Sequence, residues 1–252
     1  MASWWRIAFG FVDRSKWRLM RRIQSFMNLK RISILGTILV CAAAAVPVHA
    51  QTELRKVLAQ MDAASAKFQS AQADFEWTDF EAAVQQSDVQ SGTIYFERKA
   101  GQLRVAAMIS KPQPKQAIYA DGKVQYYEPG IDHLTVVSAG QNRTQADSFS
   151  NLGFGGSGTE LEKNWKITYL GHEKVGDADT VKLDLVSKQP NNMYSHITLW
   201  LDPVEDVSLK QQAFEPSGDY RTAVYTNRRV NQKIPANVFT IKTTKKTTIV
   251  NR

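Results

Sequence analysis

Apolar positions recur every three to four residues in one clear stretch of this chain. After Thr52, a candidate N-cap, residues Leu54, Val57, Leu58, Met61, Ala64 and Phe68 share one face, and Arg55, Lys56, Gln60 and Lys67 share the other. That spacing predicts an amphipathic helix of about five turns. From Ala73 onward the period drops to two. Phe75 and Trp77 alternate with Asp74, Glu76 and Thr78, Ile94 and Phe96 with Tyr95 and Glu97, and Leu103, Val105, Ala107 and Ile109 form one face of the next strand. Asp121-Gly122, between Ile118-Tyr119 and Val124-Gln125-Tyr126, predicts a tight hairpin turn. Similar patterns predict strands over residues 133–138, 165–170, 180–187, 195–201, 208–214, 220–230 and 238–243. This amounts to roughly ten or eleven strands, enough for one strongly curved sheet. Turn residues every ten or so positions mark an antiparallel meander that closes into a barrel or a sandwich.

The alternation stops between Gln145 and Asn164. Phe149, Leu152 and Phe154 lead into Gly155-Gly156-Ser157-Gly158 and then Thr159-Glu160-Leu161-Glu162-Lys163, which reads as a mobile apolar flap followed by a short helix. Loops of this length inside compact domains are functional or disordered, and the apolar content argues against plain disorder. The glycines match a dinucleotide-type pattern, but no βαβ unit surrounds them, so a flexible hinge fits better than a phosphate cradle.

Charge divides unevenly along the chain. Of its 32 Lys and Arg, eight lie in the first fifty residues against the single acid Asp13, so this segment carries +7 of the formal +8. The remainder is close to neutral, which excludes a general basic surface for nucleic acid. Asn28-Leu29-Lys30-Arg31, the apolar run from Ile32 to Val46 and then Pro47-Val48-His49-Ala50 read as the three regions of a signal peptide, with cleavage before Gln51. The run is about fifteen residues, short of the roughly twenty that a membrane span needs. The expected organisation is therefore residues 1–26 as an N-terminal extension, 27–50 as the signal peptide and 51–252 as a single domain. The extension has two readings: a stretch upstream of a true start at Met27, or a basic aromatic segment lying on the cytoplasmic membrane face.

Cys41, the only cysteine, lies inside the apolar run, and Val40 before it is not the small residue that a lipid-modified cysteine requires. The mature chain would then have no thiol, which removes disulfides, zinc–thiolate sites and cysteine nucleophiles together. His133, His172 and His196 lie on separate segments without a partner at metal-ligand spacing, and there is no G-x-S-x-G elbow around Ser157 or any other serine. No convergent acid, base or nucleophile is visible, so an enzyme is not expected. The Asn142-Arg143-Thr144 sequon is a glycosylation site by pattern only.

Taken in order, the opening helix with Leu54, Leu58, Met61 and Phe68, then Phe75 and Trp77, the run Ser91-Gly92-Thr93-Ile94-Tyr95-Phe96-Glu97-Arg98, the hairpin Ala120-Asp121-Gly122-Lys123 with Tyr126-Tyr127-Glu128-Pro129, and Ile234-Pro235-Ala236-Asn237-Val238-Phe239 near the end resemble the periplasmic lipoprotein carrier LolA and its superfamily, which includes LolB and RseB. The resemblance runs through nearly all of Gln51 to Val250. It implies an α+β fold in which a strongly curved antiparallel sheet forms an incomplete β-barrel, with the N-terminal helix and a short helical flap covering an apolar cavity for acyl chains. It also implies a strand arginine that hydrogen-bonds the lid backbone and lets go when ligand enters. Arg98 is the matching position; its other reading is an exposed strand-end residue. Lys99-Ala100-Gly101 follows where the carrier has a proline, so the turn after Arg98 departs from the family.

Helical Val57, Met61 and Phe68, the strand face Leu103, Val105, Ala107 and Ile109, and flap residues Phe149, Leu152 and Phe154 suit the lining of such a cavity, although each would serve equally in an ordinary core. The expected function is a periplasmic carrier of lipid-modified proteins towards the outer membrane. It would work as a monomer without a cofactor, between an inner-membrane lipoprotein transporter and an outer-membrane acceptor. The alternative is a lipid or lipoprotein sensor, or a subunit of an envelope stress or lipid-export system, built on the same fold.

Overall fold

The computed structural model describes residues 48–138, 140, 152–188 and 194–251. Helix α1 (Val48–Ser65) is followed by six strands, β1 (Ser70–Glu81), β2 (Gln86–Lys99), β3 (Gln102–Lys111), β4 (Lys115–Ala120), β5 (Lys123–Glu128) and β6 (His133–Ser138). Helix α2 (Gly158–Asn164) then leads into β7 (Trp165–Val175), β8 (Ala178–Ser187), β9 (His196–Asp202), β10 (Val207–Phe214) and β11 (Tyr220–Val230), and the chain ends on β12 (Thr248–Asn251). All twelve strands belong to one sheet in the order β12-β6-β5-β4-β3-β2-β1-β11-β10-β9-β8-β7. The sheet is open and curved, and its pairs are antiparallel except for β12 with β6.

Alternation decides which face turns inward. Ala71, Ala73, Phe75 and Trp77 of β1, Ile94 and Phe96 of β2, and Val105, Ala107 and Ile109 of β3 are buried together, joined by Tyr119, Val124 and Tyr126 from the next hairpin and by Ala223 and Tyr225 of β11. A second buried group is built from Val181, Leu183 and Leu185 of β8 and Ile197, Leu199 and Leu201 of β9. Val57, Leu58 and Met61 bring one side of α1 onto that second group, while Arg55 and Lys56 stay exposed, as a half-buried helix requires.

Several expected boundaries move. Helix α1 begins at Val48, so Thr52 lies inside the helix and is no cap, and it ends at Ser65 rather than running through Phe68. Two tight turns follow, with Lys67 N–H donating to the Ala64 carbonyl (3.0 Å) and Phe68 N–H to that of Ser65 (3.2 Å), and they swing the Phe68 ring into the first buried group. Residues 238–243 are not a strand. A 3₁₀ turn (Ala236–Phe239) packs there against β3, with the Arg104 guanidinium 3.9 Å from the centre of the Phe239 ring. The closing strand is instead β12, anchored by Asp132, which accepts hydrogen bonds from Tyr127 (2.9 Å), Thr244 (3.0 Å) and Thr247 (2.8 Å). After Arg98 the chain turns through Ala100 (φ 51°) and Gly101 (φ 77°), a tight two-residue connection between β2 and β3 that needs no proline.

Candidate functional site

The connection from β6 to β7 passes from one wing of the sheet to the other and carries residues 152–157 and α2. Its middle is tied to the start of β10: Phe154 forms a β-bridge with Val207, Ser208 N–H donates to the Gly153 carbonyl (2.6 Å) and Gly155 N–H to the Asp206 carbonyl (3.1 Å). The Phe154 ring stacks on Phe96 at 3.9 Å and meets the edge of Tyr225 at 4.9 Å. Leu152, two residues earlier, belongs to the second buried group, so this short segment bridges both halves of the interior.

The glycines here serve close approach rather than a loose hinge. A Cβ on Gly155, which has φ +72°, would overlap the Phe68 ring, and one on Gly158 would overlap the Leu58 carbonyl of α1. Ser157 Oγ caps α2 by accepting from Glu160 N–H (3.1 Å), and Asp62 of α1 accepts from both the N–H (2.9 Å) and the hydroxyl (3.0 Å) of Thr159. The two helices and the 152–157 segment thus form one cover.

Arg98, at the end of β2, fastens that cover. Its Nη1 donates to the carbonyls of Ser65 (2.6 Å) and Phe68 (3.3 Å), and its Nη2 to the Gly155 carbonyl (2.5 Å) and Ser65 Oγ (3.3 Å). Ser65 Oγ in turn donates to the Gly155 carbonyl (2.8 Å). A planar guanidinium suits this task, because it satisfies helix-terminal carbonyls that have no partner in the helix and places positive charge at the negative end of the dipole. Beyond the helix, Asn231 secures the link to β1, accepting from Gln69 N–H (2.8 Å) and donating to the Lys67 carbonyl (3.2 Å).

The residues expected to line a cavity divide between the two buried groups. Phe68, Val105, Ala107, Ile109 and Phe154 lie in the first, with Leu103 partly buried against it; Val57, Met61 and Leu152 lie in the second. Phe149 lies outside the described residues. Between α1, the 152–157 segment and α2 there is a pocket of ≈ 20 Å³, lined in part by Met61, Leu152 and Leu161, which has room for about one water molecule and not for an acyl chain.

Two polar features, one under the cover and one at the far end of β1, had no counterpart in the sequence reading. Asp206, at φ +55° in the β9–β10 turn, is fully buried, and neither carboxylate oxygen has a hydrogen-bond partner among the described residues. Burial pushes its pKa up to about 8, an effect that Arg98 opposes and Asp62 reinforces. Across the seam between β1 and β11, Arg221 donates through Nε and Nη2 to Asp79, the second bond at 3.0 Å. Burial works against the Arg221 charge, but the Asp79 carboxylate outweighs it and the guanidinium pKa is raised. His133, His172 and His196 stand on three different strands. Among the described residues no group of three or more His, Cys, Asp or Glu could hold a metal ion, and no helix is long and apolar enough to cross a membrane.

Residues 66–242 match the family described as outer membrane lipoprotein carrier protein LolA. The chain belongs to the LolA family. No curated protein sequence matches it. Among solved structures, an uncharacterized conserved protein from Thermus thermophilus is 11% identical with a TM-score of 0.51, covering 79% of this chain and 99% of that one. MucB is 14% identical with a TM-score of 0.50; the match covers 79% of this chain and 66% of MucB. A LolA superfamily protein from Nitrosomonas europaea is 13% identical with a TM-score of 0.38, covering 75% and 97%. At these identities the likeness to the first two concerns the fold alone. Within the LolA fold of this chain, the helices and the 152–157 segment form the cover, and Arg98 bonds to the end of α1 and to Gly155 at once.

Proposed function

We propose that this LolA-family protein is a periplasmic carrier that takes the acyl chains of lipid-modified proteins into the space between α1, the 152–157 segment and the inner face of the sheet. It would receive them from an inner-membrane transporter and deliver them to an outer-membrane acceptor. The proposal includes export by the leader ending at Ala50, which amino-terminal sequencing of the exported form checks. The observation that carries the reading is Arg98, whose guanidinium joins the end of α1 to Gly155 and so closes a cover over an apolar interior. Among the described residues only carbonyl and hydroxyl groups accept from that guanidinium, so its bonds can be made and broken without leaving a paired carboxylate stranded.

Energetics favour a collapsible interior over a standing cavity. Transferring one acyl chain of about sixteen methylenes out of water is worth roughly 13 kcal/mol at ~0.8 kcal/mol per CH₂. A rigid empty cavity would retain such a ligand too tightly for transfer. Here Phe154 packs against Phe96 and Tyr225, so an entering chain must displace existing contacts and the net affinity falls. Arg98→Leu removes the fastening without adding a charge. The variant is expected to stay folded and to exchange a pyrene-labelled diacylglycerol at least several-fold faster than the wild type. Exchange at the wild-type rate would return Arg98 to a purely structural role. Native mass spectrometry of protein from its own periplasm tests the cargo: a bound lipoprotein supports the carrier, whereas a stable complex with a regulatory protein and no acylated ligand supports the sensor reading.

A further inference from the structure

Asp206 is a buried carboxyl that nothing in the folded cover uses. Its backbone is committed: the carbonyl takes Gly155 N–H, and the next two residues are bound to Phe154 and Gly153. Its side chain is not. Both carboxyl oxygens are inaccessible and, among the described residues, unpartnered, an arrangement that folded proteins rarely tolerate without a function. The same Gly155 that is bound through its N–H to the Asp206 backbone is bound through its carbonyl to Arg98, so the residue carrying the free carboxyl and the fastening guanidinium both hold one residue of the cover.

We infer that Asp206 is the alternate partner of Arg98: when the cover opens and the guanidinium leaves the carbonyls of Ser65, Phe68 and Gly155, it moves to the Asp206 carboxyl, and this ion pair holds the open form. This rests on the reading of Arg98 as the fastening of a ligand cover. The charged groups that act on Asp206 are Arg98 from β2 and Asp62 from α1. Asp62 is itself an acid and accepts from Thr159, so of these two groups Arg98 is the cation that can pair with Asp206. In the closed form Asp206 keeps its proton up to about pH 8, because burial dominates over the attraction of an Arg98 whose donors are engaged elsewhere. Direct pairing with the guanidinium would bring its pKa far down. Opening therefore releases one proton to solvent, and the carboxylate left behind accepts the Arg98 hydrogen bonds. The closed form binds the proton more tightly, so rising pH favours opening up to about pH 8, by at most tenfold per pH unit for one proton.

This makes Asp206 a positioning residue that acts through Arg98, and it makes ligand exchange pH-dependent. The test is exchange of pyrene-labelled diacylglycerol, a probe that does not itself titrate, from the full mature chain between about pH 6 and 8, the range below the Asp206 midpoint. The wild type is expected to exchange several-fold faster per pH unit. Asp206→Asn, which preserves both volume and tolerance for positive φ, is expected to bind the probe but to exchange slowly and without pH dependence. A wild-type slope retained in Asp206→Asn, or no slope in the wild type, overturns the inference. Arg98→Leu separates the two readings: if it exchanges faster at every pH while Asp206→Asn keeps the wild-type slope, the fastening stands and only the alternate pairing fails. If Arg98→Leu exchanges as the wild type does, the fastening itself fails. A measurement needing no variant at position 206 is the carboxyl ¹³C shift of Asp206 in wild-type protein. Its titration midpoint should fall by at least roughly two pH units when the probe is bound, and an unchanged midpoint overturns the proposal.

Discussion

Phe154→Ala separates a ligand space from an ordinary core, because this ring fills the position between Phe96 and Tyr225 under the cover. Its exposure is 1%, so truncation leaves a void that backbone bonds to Val207 and Ser208 prevent from collapsing fully. Buried Phe→Ala changes cost about 3–5 kcal/mol, and loss of two aromatic contacts places this one in the upper part of that range. For a domain of this size each kcal/mol lowers Tm by roughly 2–4 °C, so a fall of about 8–20 °C is expected without ligand. If the ring occupies the place of an acyl chain, the variant offers a preformed space. Its affinity for diacylglycerol should rise, and at a hundredfold excess over Kd the ligand should restore about 2.7 kcal/mol. Thermal melts of wild type and variant, with and without ligand, read both effects on one preparation. A variant that loses stability but gains no more from ligand than the wild type does would show that Phe154 is core alone and would remove the apolar interior as the acyl site.

Two further changes probe the frame. Asp79→Ala leaves the partly buried Arg221 guanidinium without its carboxylate and should cost about 1–3 kcal/mol in chemical denaturation, less than a fully buried pair because both side chains retain some solvent; the double change Asp79→Leu with Arg221→Met should recover most of that loss. Gly158→Ala puts a methyl group into the Leu58 carbonyl, so α2 must shift away from α1, and hydrogen exchange of the α2 amides should quicken while that of β8 and β9 is unaffected.

Much of the sheet was legible because alternation and turn chemistry are local. Residues 133–138 and 220–230 coincide with β6 and β11, and Asp121-Gly122 forms the expected turn with both φ angles positive. Expectations failed where distant contacts decide. The end of α1 is set by Arg98, which takes the Ser65 carbonyl and that of Phe68 just beyond the helix, and by the space that Phe68 finds in the sheet, neither of which leaves a mark on helical periodicity. Val238 and Phe239 suggested a strand, yet the Phe239 ring lies beneath Arg104 in a 3₁₀ turn. β12 was missed because its pairing with β6 leaves Ile249 exposed, so there is no inward face to read. At the site, Arg98 was found through family resemblance, and Asp206 was not found at all. An aspartate in Asp202-Pro203-Val204-Glu205-Asp206 reads as a solvated turn residue, and only the fold brings the 152–155 segment over it.

The seam between β1 and β11 also governs how the molecule is assembled. Strands β2 to β6 each pair with the strand before them, and β8 to β11 do the same, so both wings can form from local encounters. Joining them brings Asp79 to Arg221, 142 residues later in the chain, a closure that costs more entropy than the local pairings within each wing. Until β11 arrives, β1 is an edge strand with Phe75 and Trp77 alternating along it, the type of unpaired apolar edge that recruits other chains. The apolar interior is therefore sealed only when β11 joins β1, and every residue between the two strands must be made before that edge is covered.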